Sequence, residues 1–167
     1  TQDQAVIERW QQNHSILTGP HAGPPSRREA SLRATIGYAA GQLHSLDLRT
    51  DGPHALVGGT TGAGKSELLQ TWILSMAASH SPQRLTFLLV DYKGGSAFAD
   101  CSRLPHTVGL VTDLNTNGVR RALTSLSAEL KYREEFLHER KAKGLMALEK
   151  KGVTDCPPSL VLVVDEF

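Results

Sequence analysis

Eight consecutive residues, Gly59-Thr60-Thr61-Gly62-Ala63-Gly64-Lys65-Ser66, combine glycines, a lysine and a hydroxyl in a spacing suited to holding phosphate groups. They satisfy G-x-x-x-x-G-K-[ST], the P-loop pattern, at every constrained position. Each residue type has a physical task. Glycines let successive backbone N–H groups turn inward as an anion nest. The helix that follows offers unpaired N–H groups and the positive end of its dipole. The Lys65 ammonium can reach β- and γ-phosphates, and the Ser66 hydroxyl can ligate Mg²⁺.

A second set of chemical groups lies near the C-terminal end, where the apolar run Leu160-Val161-Leu162-Val163-Val164 finishes in Asp165-Glu166. A carboxylate at that place can hold the Mg²⁺ of a P-loop site, usually through water, which is the role expected of Asp165. Glu166 would polarise the attacking water as a general base. Taken singly, the first motif could be a glycine-rich turn and the second a core strand with acids at its surface end. Together they describe a nucleotide site equipped for hydrolysis.

The elements around these residues are those the chemistry needs. His54-Ala55-Leu56-Val57-Gly58 is predicted to be a short buried strand entering the loop, bounded by Gly52-Pro53. Leu68, Leu69, Trp72, Ile73 and Met76 recur at helical spacing after it. Leu85 to Val90 is a near-continuous apolar run, the mark of a strand buried on both faces, and Thr107 to Thr112 is a further strand candidate. Asn115 or Asn117 would cap a long helix to about Lys141, with Val119, Leu123, Leu126, Leu130 and Leu137 on its apolar side. The charged stretch Arg133 to Lys151 reads as a solvated surface, because Glu134, Glu135, Glu139 and Glu149 interleave with its bases. Upstream, Gln2 to Asn13 forms a short helix with Val6, Ile7 and Trp10 on one side, and Thr18 to Ser26 is a Gly/Pro-rich linker. Leu32 to Tyr38 and Leu43 to Leu48 are two strands joined at Ala39-Ala40-Gly41-Gln42. Strands alternating with helices predict an α/β fold with a mainly parallel sheet.

Composition bounds the function without naming it. The chain has 167 residues, 40% of them apolar and 21% charged, which is enough for one globular core. A net charge of +1 gives no overall lean toward nucleic acid or anionic lipid. Cys101 and Cys156 stand in no metal or redox spacing and read as reduced thiols. No apolar run reaches the roughly 18 residues that a membrane span needs.

At this point the sequence resembles the FtsK/SpoIIIE superfamily of ring-forming motor ATPases, and within it the EccC/EssC ATPase modules of type VII secretion. The resemblance is carried by Gly52-Pro53-His54, Gly58 to Glu67, His80-Ser81-Pro82, Leu89-Val90-Asp91-Tyr92-Lys93-Gly94-Gly95 with Phe98, Leu104-Pro105-His106, Val111-Thr112-Asp113-Leu114 and Val163 to Phe167. Asp91-Tyr92-Lys93-Gly94-Gly95 points to the secretion group, since DNA translocases of the superfamily usually carry proline between that Asp and Lys and lack the glycine pair.

The resemblance implies a P-loop NTPase fold of the RecA/ASCE kind, a three-layer sandwich spanning 32–167 behind an N-terminal hairpin, with 1–31 as helix and linker. It implies ATP and Mg²⁺ as ligands, with Gly59, Thr60, Thr61, Gly62, Ala63, Gly64, Lys65, Ser66 and Glu67 around the nucleotide and Ser66 and Asp165 around the metal. Lys65 and Glu166 would serve catalysis, completed by an arginine from an adjacent subunit. Arg121 is the candidate for that arginine, with Arg120 as second choice. Asp91 and Lys93 are candidate nucleotide sensors at a strand end.

The implied setting is a homo-oligomeric ring or a stack of ATPase modules at the cytoplasmic face of a membrane, acting on a secreted protein. A double-stranded DNA translocase and a nucleotide-holding module with little turnover remain as alternatives. In the superfamily a further strand lies between the P-loop strand and the strand ending at Asp165. The sequence therefore predicts a gap there and the front part of a longer motor domain. Direct hydrogen bonding between those two strands would refute that topology.

Overall fold

The computed structural model describes residues 1–24, 31–92, 97–112 and 116–165. Its organising element is α2 (Lys65–Ser79), the helix that begins inside the P-loop motif. Trp72, Ile73, Met76 and Ala77 form its buried stripe, and Leu69 packs partly buried beside them. That stripe meets β3 (Leu85–Asp91), along which Leu85, Phe87, Leu89 and Asp91 are buried and the alternate residues half-buried. Leu85, Phe87, Leu89 and Phe98 have no exposed surface. Burying each such side chain is worth about 1.5–3 kcal/mol, so this group anchors the domain.

β3 is the centre of a parallel three-stranded sheet in the order β4 (Thr107–Val111), β3, β5 (Ser159–Asp165). The register runs from Leu85 opposite Ser159 to Asp91 opposite Asp165, so the two aspartates finish side by side. Parallel strands of one sheet need long crossovers, and the one from β4 to β5 contains α3 (Thr116–Glu139) and α4 (Leu145–Lys150). The long helix ends before Arg140, where Lys141 takes a φ of 48° and the chain turns into α4, a helix the sequence reading did not separate.

The hairpin is β1 (Arg33–Ala39) and β2 (Gln42–Asp47), turning through Ala40 and Gly41 at φ 51° and 79°. Positive φ at both central residues matches the right-handed twist of the flanking strands. Leu32 and Ala34 carry this hairpin into the same core as α2. At the N-terminus α1 (Gln2–Gln12) lies against α2. Trp10 Nε1 donates to the Ala77 carbonyl at 2.9 Å and Asn13 Nδ2 to the Ser79 carbonyl at 2.7 Å, capping the C-terminal turn of α2. Just beyond it Ser81 donates twice to Ser15, from its N–H to the Ser15 hydroxyl and from its own hydroxyl to the Ser15 carbonyl.

The structure departs from the sequence expectations at residues 54–58 and at Glu149. The segment 54–58 belongs to no strand, and Leu56 is 79% exposed rather than buried. It is not paired with β5; a cavity of about 400 Å³ lies between them, lined by Ala55, Leu56 and Val57 on one side and Val161 and Val163 on the other. The run is apolar because it suits a sheet interior, and among the described residues it has no sheet neighbour. The expected gap between the P-loop segment and β5 is thus present.

The second correction concerns Glu149, read as part of a solvated charged face. It is 3% exposed and takes a two-pronged contact from Arg49, at 2.5 and 3.0 Å, with Arg84 at 3.2 Å. Arg49 also donates to the Ser159 hydroxyl at 2.9 Å, so this charged group ties the end of the hairpin to α4 and the start of β5. Helical spacing alone does not reveal that α4 folds back to bring Glu149 inward.

Candidate active site

The cradle is assembled by local backbone chemistry. Gly62 and Gly64 sit at φ 76° and 86°, the left-handed region that side chains with a Cβ rarely enter. The Ala63 N–H donates to the Thr60 carbonyl at 3.1 Å, closing the turn, and the Leu68 N–H to the Gly64 carbonyl at 2.9 Å starts the helix. Gly64 is the N-cap and no side chain caps the helix there. The first turn of α2 therefore offers its N–H groups and positive dipole end to an anion. Thr60, Thr61, Gly62 and Ala63 are exposed, and Lys65 Nζ donates to the Thr60 carbonyl at 3.1 Å, folded back over the loop. Glu67 is exposed one turn along.

Ser66 meets the second motif. Its hydroxyl donates to Asp165 Oδ2 at 2.8 Å, joining the mouth of the cradle to the end of β5. Asp165 is 8% exposed and Asp91, beside it in register, 2%. Two carboxylates thus finish adjacent strands at the edge of the loop. Among the described residues no three or more His, Cys, Asp and Glu side chains cluster as a metal cage. One hydroxyl and one carboxylate suit Mg²⁺, which keeps several waters and takes its remaining ligands from substrate phosphates.

Sequence reasoning missed Gln70. It stands one turn after Ser66, and its Nε2 donates to the Ala97 carbonyl at 2.7 Å. The Ala97 N–H donates in turn to Asp91 Oδ2 at 2.9 Å. A polar residue inside the apolar stripe of α2 was the available signal.

The remaining candidates are not brought to this corner. Arg120 and Arg121 are exposed on α3, which packs beside β4, at the opposite edge of the sheet from β5. Glu166, Lys93, Gly94, Gly95, Asp113, Leu114, Asn115 and Phe167 lie outside the described residues. Both cysteines are free and buried, and burial pushes their thiols up, away from reactivity.

A glycine cradle opening a helix, beside a parallel strand that ends in aspartate, defines a P-loop ATPase domain. The chain belongs to the FtsK/SpoIIIE family, whose sequence model matches residues 23–167. It is similar to the type VII secretion system protein EssC of Staphylococcus aureus (strain N315), 39% identical over 166 residues, covering 97% of this chain and 10% of the relative. It is also similar to the ESX secretion system protein EccC of Geobacillus thermodenitrificans, 42% identical over 129 residues, 74% of this chain and 9% of that protein. Among solved structures, the cytoplasmic domain of the Thermomonospora curvata type VII secretion ATPase EccC superposes with a TM-score of 0.73 at 36% identity, covering 95% of this chain and 19% of that one. The chain therefore spans about a tenth of the length of the curated relatives it matches.

Proposed function

We infer that this domain is an ATP-binding, ATP-hydrolysing module of a type VII secretion motor. The observation that carries the reading is the Ser66–Asp165 hydrogen bond at 2.8 Å, which sets a hydroxyl and a carboxylate together at the mouth of an uncapped helix. In this reading the backbone from Gly59 to Gly64 and the first turn of α2 hold the phosphates, and Lys65 leaves Thr60 to reach the terminal ones. Ser66 and Asp165 take the Mg²⁺, which when bound neutralises charge on the transferring phosphoryl group. Glu166 orients and polarises the attacking water, and Arg121, or Arg120, reaches the site of an adjacent module.

Further ATPase modules and a secreted substrate are the partners proposed. A solved relative, EccC of Thermomonospora curvata with ATPases 2 and 3 in complex with a signal sequence peptide, supports both at 32% identity and a TM-score of 0.69. The cytoplasmic side of a membrane is the proposed location. Among the described residues no helix is long and apolar enough to cross a membrane, so anchoring would fall to other parts of the protein. The test is ATP hydrolysis by the full-length protein with a substrate's signal peptide or double-stranded DNA added. Stimulation by the peptide and indifference to DNA are expected. The reverse response would make the protein a DNA translocase.

A further inference from the structure

Helix α2 is tied to the C-terminal end of the sheet at two successive turns. The first tie is Ser66 to Asp165. The second runs from Gln70 Nε2 to the Ala97 carbonyl, and from the Ala97 N–H to Asp91 Oδ2, at 2.7 and 2.9 Å. Ala97 is thus held from both sides, by the helix through its carbonyl and by the strand end through its N–H. Phe98, with no exposed surface, fixes the next residue in the core. The two ties are parallel because Asp91 and Asp165 are register partners and residues 66 and 70 stack on one helix face.

The geometry points to Gln70 and Asp91 as positioning residues for the metal site, an inference that rests on the functional reading above. Ser66 and Asp165 bond each other in this structure, and both are assigned to the metal. A Ser66 hydroxyl that ligates a cation through its oxygen still has its proton to donate to Asp165. That arrangement needs one spacing between the helix and the strand ends, and the second tie holds it. A backbone group clamped by two side chains, one of them a carboxylate with 2% exposure, is a stiff spacer. It acts on the metal through Ser66 and Asp165.

The experiment uses the full-length protein and a fluorescent, non-hydrolysable ATP analogue, titrated at varied Mg²⁺ and again in EDTA. Gln70→Met keeps the length of the side chain and removes the donor. Asp91→Ala removes the acceptor. Both are expected to raise the Mg²⁺ concentration for half-maximal tightening about tenfold, the low end of the loss seen when hydrogen bonds supporting a metal site are removed. Affinity in EDTA, set by the backbone cradle, is expected to stay at the parent value. Met76→Ala, buried in α2 away from the clamp, controls for simple loosening of the core. An unchanged Mg²⁺ requirement in Gln70→Met, or an equal rise in Met76→Ala, would overturn the positioning role while leaving the nucleotide site standing. A parent that binds no analogue would overturn the functional reading and the clamp with it.

Discussion

The Ser66 hydroxyl donates to Asp165 Oδ2 at 2.8 Å, so the first turn of the P-loop helix and the end of β5 share one hydrogen bond. If both oxygens turn to Mg²⁺ with nucleotide, the charge of Asp165 matters more than its shape. Asp165→Asn keeps an acceptor for Ser66 and removes that charge. Its Mg²⁺-dependent gain in ATP-analogue affinity is expected to fall about tenfold or more, since bonds to a charged partner are worth about 1.5–3 kcal/mol. Titration with and without Mg²⁺ measures it, and a parental gain in the variant would remove Asp165 from the metal.

Glu149 is held between Arg49 and Arg84 with 3% exposure. Glu149→Ala removes the buried carboxylate that both guanidinium groups contact. The expected loss of stability is about 3–5 kcal/mol, read from urea unfolding midpoints. Glu135 forms a 3.9 Å pair with Lys131, both largely exposed, and Glu135→Ala is expected to cost under about 1 kcal/mol.

His80 and His106 connect the end of α2 to its neighbours. His80 Nε2 is 3.2 Å from the Arg33 carbonyl, and His106 Nε2 is 2.6 Å from the His80 carbonyl. Burial holds both below the ordinary histidine value of 6.5, against smaller opposing effects from those carbonyls and, for His80, from Asp47. Nδ1 of His106 is buried with no hydrogen-bond partner among the described residues, so a second proton there would be stranded. The unfolded chain then binds more protons than the folded one, and stability rises with pH. The contribution is complete above 6.5 and is lost as pH falls through that value toward the lowered folded ones. Unfolding midpoints across that range should show the loss, and His106→Gln should make the slope shallower.

The cavity between 54–58 and β5 has the apolar lining and the unpaired strand edge of a place for one more strand. In the full-length protein the amides of Leu56, Val57, Leu162 and Val164 are expected to exchange slowly with solvent deuterium. In the 167-residue chain alone, those of Leu56 and Val57 should exchange freely. Equal exchange of Leu56 and Val57 in both would mean that nothing fills the slot.

The features the sequence made legible are those encoded in contiguous residues. The P-loop, the apolar stripe of α2, the β1–β2 hairpin and the Asp165 strand each depend on local pattern, and the structure places all of them. What escaped depends on contacts across the fold. Glu149 looks solvated until α4 turns it toward Arg49 and Arg84, and Gln70 looks like a polar interruption until Ala97 arrives from the loop after β3. The segment 54–58 was misread for the converse reason. Its composition suits a buried strand, but burial requires neighbours on both sides.

In the proposed function this module cleaves the nucleotide it binds. The direct measurement is single-turnover cleavage of Mg·ATP held at this site in the full-length protein, parent beside Glu166→Gln. The expected result is that the variant binds ATP as tightly as the parent and cleaves it at least about a hundredfold more slowly, the loss typical of a missing general base. Equal cleavage rates in the two proteins would contradict the assignment of Glu166 and the hydrolytic mechanism built on it.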